Sequence, residues 1–155
     1  KVIGYVRRVK GQVDQPVTVA ENYVWWARHG GQLAAEVDFL GVHTYPQWEE
    51  KTIDDALPYT IENLAAVRAA LPDKPIVVLE AGWATVATEF GERANEADQA
   101  RHFRELRDWA AANNTTVFWF EAFDEPWKGH SDEPLAAEKH WGLFDVQRRP
   151  KLAMQ

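Results

Sequence analysis

Pro75-Ile-Val-Val-Leu-Glu80-Ala-Gly-Trp83 is the stretch on which the fold turns. An unbroken apolar run closes on a carboxylate and a glycine. A run without polar alternation is the pattern of a parallel strand covered on both faces. Three other segments read the same way: Pro16–Ala20, Val37–Tyr45 and Thr116–Glu121. Helical patterns lie around them. Lys1–Lys10 carries Val2, Ile3, Val6 and Val9 on one side, and Glu21–His29 holds Trp25 and Trp26. Thr52–Leu71 opens like a capping box, Thr52 with Asp55, and places Leu57, Ile61, Leu64 and Leu71 on one face. A further helix follows Asn95, with Phe103, Leu106 and Ala110 at helical spacing, and stops at Asn113-Asn114.

The resulting order is α-β-α-β-α-β-α-β followed by a loop-rich tail, which means a parallel sheet with right-handed crossovers. An open doubly wound sheet and part of a TIM barrel both fit. No Gly-rich turn follows a strand, so a dinucleotide or phosphate site is disfavoured. Polar groups gather where the strands end: His43-Thr44-Tyr45, Glu80, Glu121, and Glu21 after the first strand. In βα-barrels those ends build the active site.

Composition narrows the chemistry. The chain has 155 residues, 46% of them hydrophobic, enough for one domain with a core. A net charge of −7 opposes nucleic acid and anionic membrane surfaces but not a neutral sugar polymer. Cysteine is absent, which removes thiol chemistry and disulfides together. Ser131 is the only serine and lacks a nucleophile-elbow motif. The five histidines show no metal-binding spacing, so neither a metal nor a cofactor is expected. No apolar run reaches membrane-spanning length. The eight tryptophans suit sugar stacking and core packing alike.

Glu80, at the end of a buried strand, is placed to attack an anomeric carbon; the competing reading is a structural carboxylate bonded to backbone. Gly82 permits a tight turn, and Trp83 is expected to present its ring beside the carboxylate. The second stretch, Phe118-Trp-Phe-Glu121-Ala-Phe-Asp-Glu125-Pro-Trp-Lys128, interleaves carboxylates, a lysine and aromatics. Such a cluster can hold sugar hydroxyls while a ring stacks; its plain alternative is a charged surface loop. His43 either bonds a substrate hydroxyl or is a structural partner of Glu80. Trp25 and Trp26 read as packing, and Asn113 to Thr116 as a turn.

These motifs together resemble glycoside hydrolase family 17. Leu79-Glu80-Ala-Gly-Trp83 is similar to its E-[TS]-G-W-P signature, with Ala84 where the family usually has Pro. Phe120 to Lys128 resembles its eighth-strand motif, Trp141-Gly-Leu-Phe144 its closing W-G-L-F, and Val37-Asp-Phe through His43-Thr-Tyr45-Pro46 its sixth strand. The resemblance implies a (β/α)4 half of a TIM barrel over residues 1–155, equivalent to strands five to eight. It implies retaining hydrolysis or transglycosylation of β-1,3-linked glucans, in a periplasmic or extracellular setting. Glu80 matches the nucleophile. Tyr45 matches an aromatic hydroxyl near the reacting sugar, Glu125 and Lys128 supporting polar groups, and Trp83 and Trp127 aromatic walls. Glu121 lies in the matching motif.

One element of the resemblance is missing. The family's general acid belongs to an Asn-Glu pair ending the fourth strand, and here Asn-Glu occurs only as Asn95-Glu96 at a helix start. A retaining glycosidase needs two carboxyl groups about 5–5.5 Å apart, and a full barrel typically needs about 250 residues. Two origins of the acid follow. Either a homodimer closes the eight-stranded barrel and the partner's Glu121 serves as acid, or the acid lies in a separate first half of a longer enzyme. The opening at Lys1, without Met, is expected of a processed or excised piece. A non-catalytic β-glucan-binding module is the alternative from another class.

Overall fold

A computed structural model describes residues 1–155. The elements run α1 (Val2–Lys10), β1 (Ala20–Asn22), α2 (Tyr23–His29), α3 (Gly31–Ala34), β2 (Leu40–Thr44), α4 (Ile53–Ala70), β3 (Ile76–Ala81), α5 (Glu96–Ala112) and β4 (Val117–Trp119). All four strands are parallel, in the order β1-β2-β3-β4. This is the expected partial barrel, its sheet ending in two unpaired edges, β1 and β4. The first strand forms at Ala20–Asn22 rather than Pro16–Ala20, so Glu21 lies within it.

One side of the sheet carries the core. Leu40, Val42, Val78 and Ala81 are buried against Trp26, Leu64, Val67 and Leu106 from the helices. Trp26 is fully buried, and its indole N–H donates to the Gly41 carbonyl at 2.9 Å, so it packs as expected. The buried stripe of α4 is Ala56, Thr60, Asn63, Leu64 and Val67, turned from the expected Leu57-Ile61-Leu64-Leu71 line. Asn63 Nδ2 donates to Thr44 Oγ1 at 3.0 Å and satisfies both groups. Thr52 Oγ1 donates to the Asp55 side chain at 2.8 Å and caps no backbone N–H, so the expected capping box does not form. Asn95 does cap α5, accepting from Asp98 N at 2.8 Å. Asn114 takes a left-handed conformation, φ 48°, and ends that helix as a turn.

A register shift positions the chemistry. Val42 pairs with Val78, but His43 pairs with Glu80, so Leu79 is an extra residue in β3. Plain alternation would turn Glu80 to the helix side with Val78. The bulge re-aims it to the open face beside His43, while Ala81 returns to the core. The same extra residue recurs against β4, where Val78 pairs with Val117 and Ala81 with Trp119.

Beyond β4, residues 121–124 are backed by residues 141–144. Leu143 N donates to Glu121 O at 3.0 Å, and Phe144 N to Ala122 O at 2.9 Å. A Cβ on Gly142 would sit 2.2 Å from Asp124 N, so only glycine allows this approach. Lys151, 6% exposed, anchors the tail through Asp124 Oδ1 at 2.7 Å and Thr85 Oγ1 at 2.8 Å.

Candidate active site

Two side-chain clusters meet above the C-terminal strand ends. In the first, Tyr45 donates its hydroxyl to Glu80 Oε2 at 2.8 Å. His43 Nδ1 lies 3.3 Å from the same oxygen. Glu80 is about one-third exposed, and its second oxygen makes no protein hydrogen bond. Burial, reinforced by the charge of Glu80, raises the Tyr45 hydroxyl above its usual range, so it stays a donor. One carboxylate oxygen is therefore held and the other has no protein hydrogen bond. His43 Nε2 is buried without a partner.

In the second cluster Lys128 Nζ binds Glu121 Oε2 at 2.7 Å and Glu125 Oε2 at 2.8 Å. Glu121 and Lys128 are mostly buried, and Glu121 Oε1 is buried without a partner. Burial holds the Glu121 carboxyl above the ordinary range, against the opposing pull of Lys128. The bond to Lys128 holds Glu125 below it. Burial alone would lower the Lys128 ammonium, but its two carboxylates together raise it. The clusters join through aromatics: Lys128 Nζ lies 4.3 Å over the Phe120 ring, which meets Tyr45 edge to face at 6.2 Å.

Each residue singled out in the sequence has a definite place. His43, Tyr45 and Glu80 come together, as do Glu121, Glu125 and Lys128. Trp127 is 74% exposed and free to stack. Trp83 is a correction. Its ring is fully buried, 5.6 Å from His102, and its N–H donates to Arg93 O at 2.8 Å. Its neighbour Gly82 leaves no room for a side chain, since a Cβ there would sit 2.2 Å from the Phe120 carbonyl oxygen. Glu121 is engaged by a lysine of its own chain.

Several supports escaped the sequence reading. Gln47, fully buried, accepts from Ala84 N at 2.8 Å and donates to Ala84 O and Arg93 O. Gln99 Nε2 donates to Trp83 O at 2.8 Å and Gly142 O at 3.1 Å. Lys139, 5% exposed, donates to the carbonyls of Pro126 and Lys128 and so holds the loop carrying Trp127. Trp141 packs behind Tyr45 at 5.2 Å. Glutamines and lysines carry no sequence signature for such roles; only Trp141, inside its motif, could have been found. No three metal-ligating side chains gather anywhere, and no helix is long and apolar enough to cross a membrane.

Residues 1–142 match the model of the BtgE/BtgC glycoside hydrolase domain. The glucan 1,3-beta-glucosidase of Arthroderma benhamiae is 33% identical over 127 residues, covering 74% of this chain and 41% of that protein. The putative glucan endo-1,3-beta-glucosidase btgC of Aspergillus niger is 30% identical over 173 residues, 97% of this chain and 25% of that protein. An endo-laminarinase from Formosa superposes with a TM-score of 0.89 at 24% identity, covering 98% of this chain and 50% of that one. A glycoside hydrolase family 17 β-1,3-glucanosyltransferase from Rhizomucor miehei gives 0.86 at 25% identity, covering 99% and 56%. The chain spans less than half the length of these two curated relatives and about half of these two solved structures. Because the matching model takes in nearly all of it, the chain belongs to the BtgE/BtgC glycoside hydrolase domain family.

Proposed function

We propose that this chain is the half of a retaining β-1,3-glucan hydrolase or glucanosyltransferase that is equivalent to strands five to eight and carries the nucleophile, Glu80. The observation that carries the reading is the Glu80 carboxylate. One oxygen is held by Tyr45 and approached by His43, and the other is unbonded at the open end of the sheet. A nucleophile for glycosyl transfer has to be ionised, oriented and reachable. The Glu121–Lys128–Glu125 cluster orients this wall of the site, and Trp127 offers a ring for a glucosyl unit. The relatives named for 1,3-β-glucans support that substrate.

The general acid comes from outside the chain, with the four strands that complete the barrel. The two free edges of the sheet support closure by further strands. A separate first half is favoured over a second copy, because Glu121 is already bound by Lys128. Light scattering that finds a compact dimer would instead favour the second copy. The nucleophile itself can be tested without the acid, since an activated leaving group needs no protonation. A 2-fluoroglucoside with a dinitrophenyl leaving group is expected to label Glu80, as read by peptide mass spectrometry. Label on any other residue, or none, overturns the assignment.

A further inference from the structure

Trp48, four residues beyond the end of β2, stands 45% exposed. Its ring meets Phe90 at 4.6 Å and 80°, and Trp141 at 6.4 Å and 40°. Trp141 in turn backs Tyr45, whose hydroxyl holds Glu80. A continuous aromatic line thus runs from the proposed nucleophile out to Trp48.

The loop that carries this ring is rigid. Pro46 and Gln47, just before it, are buried. Gln47 is bonded at both ends of its amide to Ala84 and again to Arg93 O, and Arg93 Nη1 donates to the Gln47 carbonyl at 2.9 Å. Glu49 N and Lys51 N both return to Pro46 O at 3.1 Å. One bond of this clamp comes from the Ala84 N–H, which a proline at that position would remove. A large indole held half in water by buried anchors is pre-organised for a planar apolar contact, because little freedom remains to be lost on binding. Glu49 and Glu50 beside it, and the net charge of −7, disfavour an anionic ligand.

We propose that Trp48 is a stacking platform for a glucosyl ring of the β-glucan, distal to the bond handled at Glu80, and that the Gln47–Ala84 clamp sets its position. The inference rests on the function proposed above and adds a subsite to it. Calorimetric titration of the full chain with laminaribiose and laminaripentaose tests both levels. Trp48→Ala should weaken laminaripentaose about ten-fold, the order expected of one lost aromatic contact, and laminaribiose much less. Trp48→Tyr should recover most of the affinity. Ala84→Pro should weaken laminaripentaose in the same direction, with thermal unfolding confirming that each variant folds. Equal affinity of Trp48→Ala and the unaltered chain for laminaripentaose overturns the platform alone. Equal losses for both oligosaccharides also overturn it, because they point to general disruption. No binding of either sugar by the unaltered chain overturns the platform and the glucan reading together.

Discussion

Replacing Lys151 by Met should destabilise the chain by about 3–5 kcal/mol, the usual cost of orphaning one partner of a buried ion pair. The lower half of that range is expected, because Asp124 keeps the Gly142 N–H at 2.9 Å and lies 3.9 Å from His140 Nδ1. Asp124 and Lys151 side chains are 9% and 6% exposed, and their contact is 2.7 Å. Lys151 Nζ also satisfies Thr85 Oγ1. Asp124 Oδ1 accepts from Gly142 N at 2.9 Å, so the pair fastens the segment bearing Trp141 behind Tyr45. Against a total stability of about 5–15 kcal/mol for a domain, such a loss is readily measured by urea unfolding followed by tryptophan fluorescence. Asp124→Leu alone should cost as much or more, since it also frees the Gly142 N–H. The double variant should recover a large part of the loss, because two matched apolar groups no longer bury an unpaired charge. Single losses under about 1 kcal/mol, or a double variant that loses the sum of the singles, would refute the view of this pair as a desolvated, coupled staple.

Tyr45→Phe removes a hydrogen bond to a carboxylate, worth about 1.5–3 kcal/mol, so labelling of Glu80 by the 2-fluoroglucoside should slow by roughly ten- to a hundred-fold; stopped mass-spectrometric time courses measure it. His102 is fully buried between the rings of Trp83 and Trp119, and burial lowers it to about 4. Its contribution is present above the unfolded value near 6.5 and is lost as pH falls toward 4, a change on the order of 3 kcal/mol. His102→Phe should flatten that part of the stability profile measured by urea unfolding. His140 has the opposite sign: the Asp124 carboxylate, 3.9 Å from its Nδ1, raises it despite burial. The stability it adds is fully present below about 6.5 and fades as pH rises through its higher folded value. His140→Gln should remove that alkaline-side loss, and proton NMR of the ring should show titration above the free value.

The unbroken apolar runs were enough to specify parallel strands, because a strand buried on both faces has no room for polar alternation; they fitted a doubly wound sheet as well as a barrel, and the motifs and the structure decided the strand order. Glu80, Tyr45, Glu125 and Lys128 were likewise legible from motifs whose spacing along one chain survives folding. Trp83 turns inward instead of lining the site, because its N–H bonds the Arg93 carbonyl and its ring packs on His102, partners that only folding brings near. Register is also an agreement between two strands. Nothing in Val78-Leu79-Glu80 alone reveals the extra residue that swings the carboxylate onto the open face. The buried polar anchors belong to the same class. Gln47, Gln99 and Lys139 matter through backbone carbonyls far along the chain, and a carbonyl has no residue type by which a sequence could announce it. Local chemistry therefore selected the strands and the candidate site residues, while long-range contacts chose their facing, their partners and the position of Trp48.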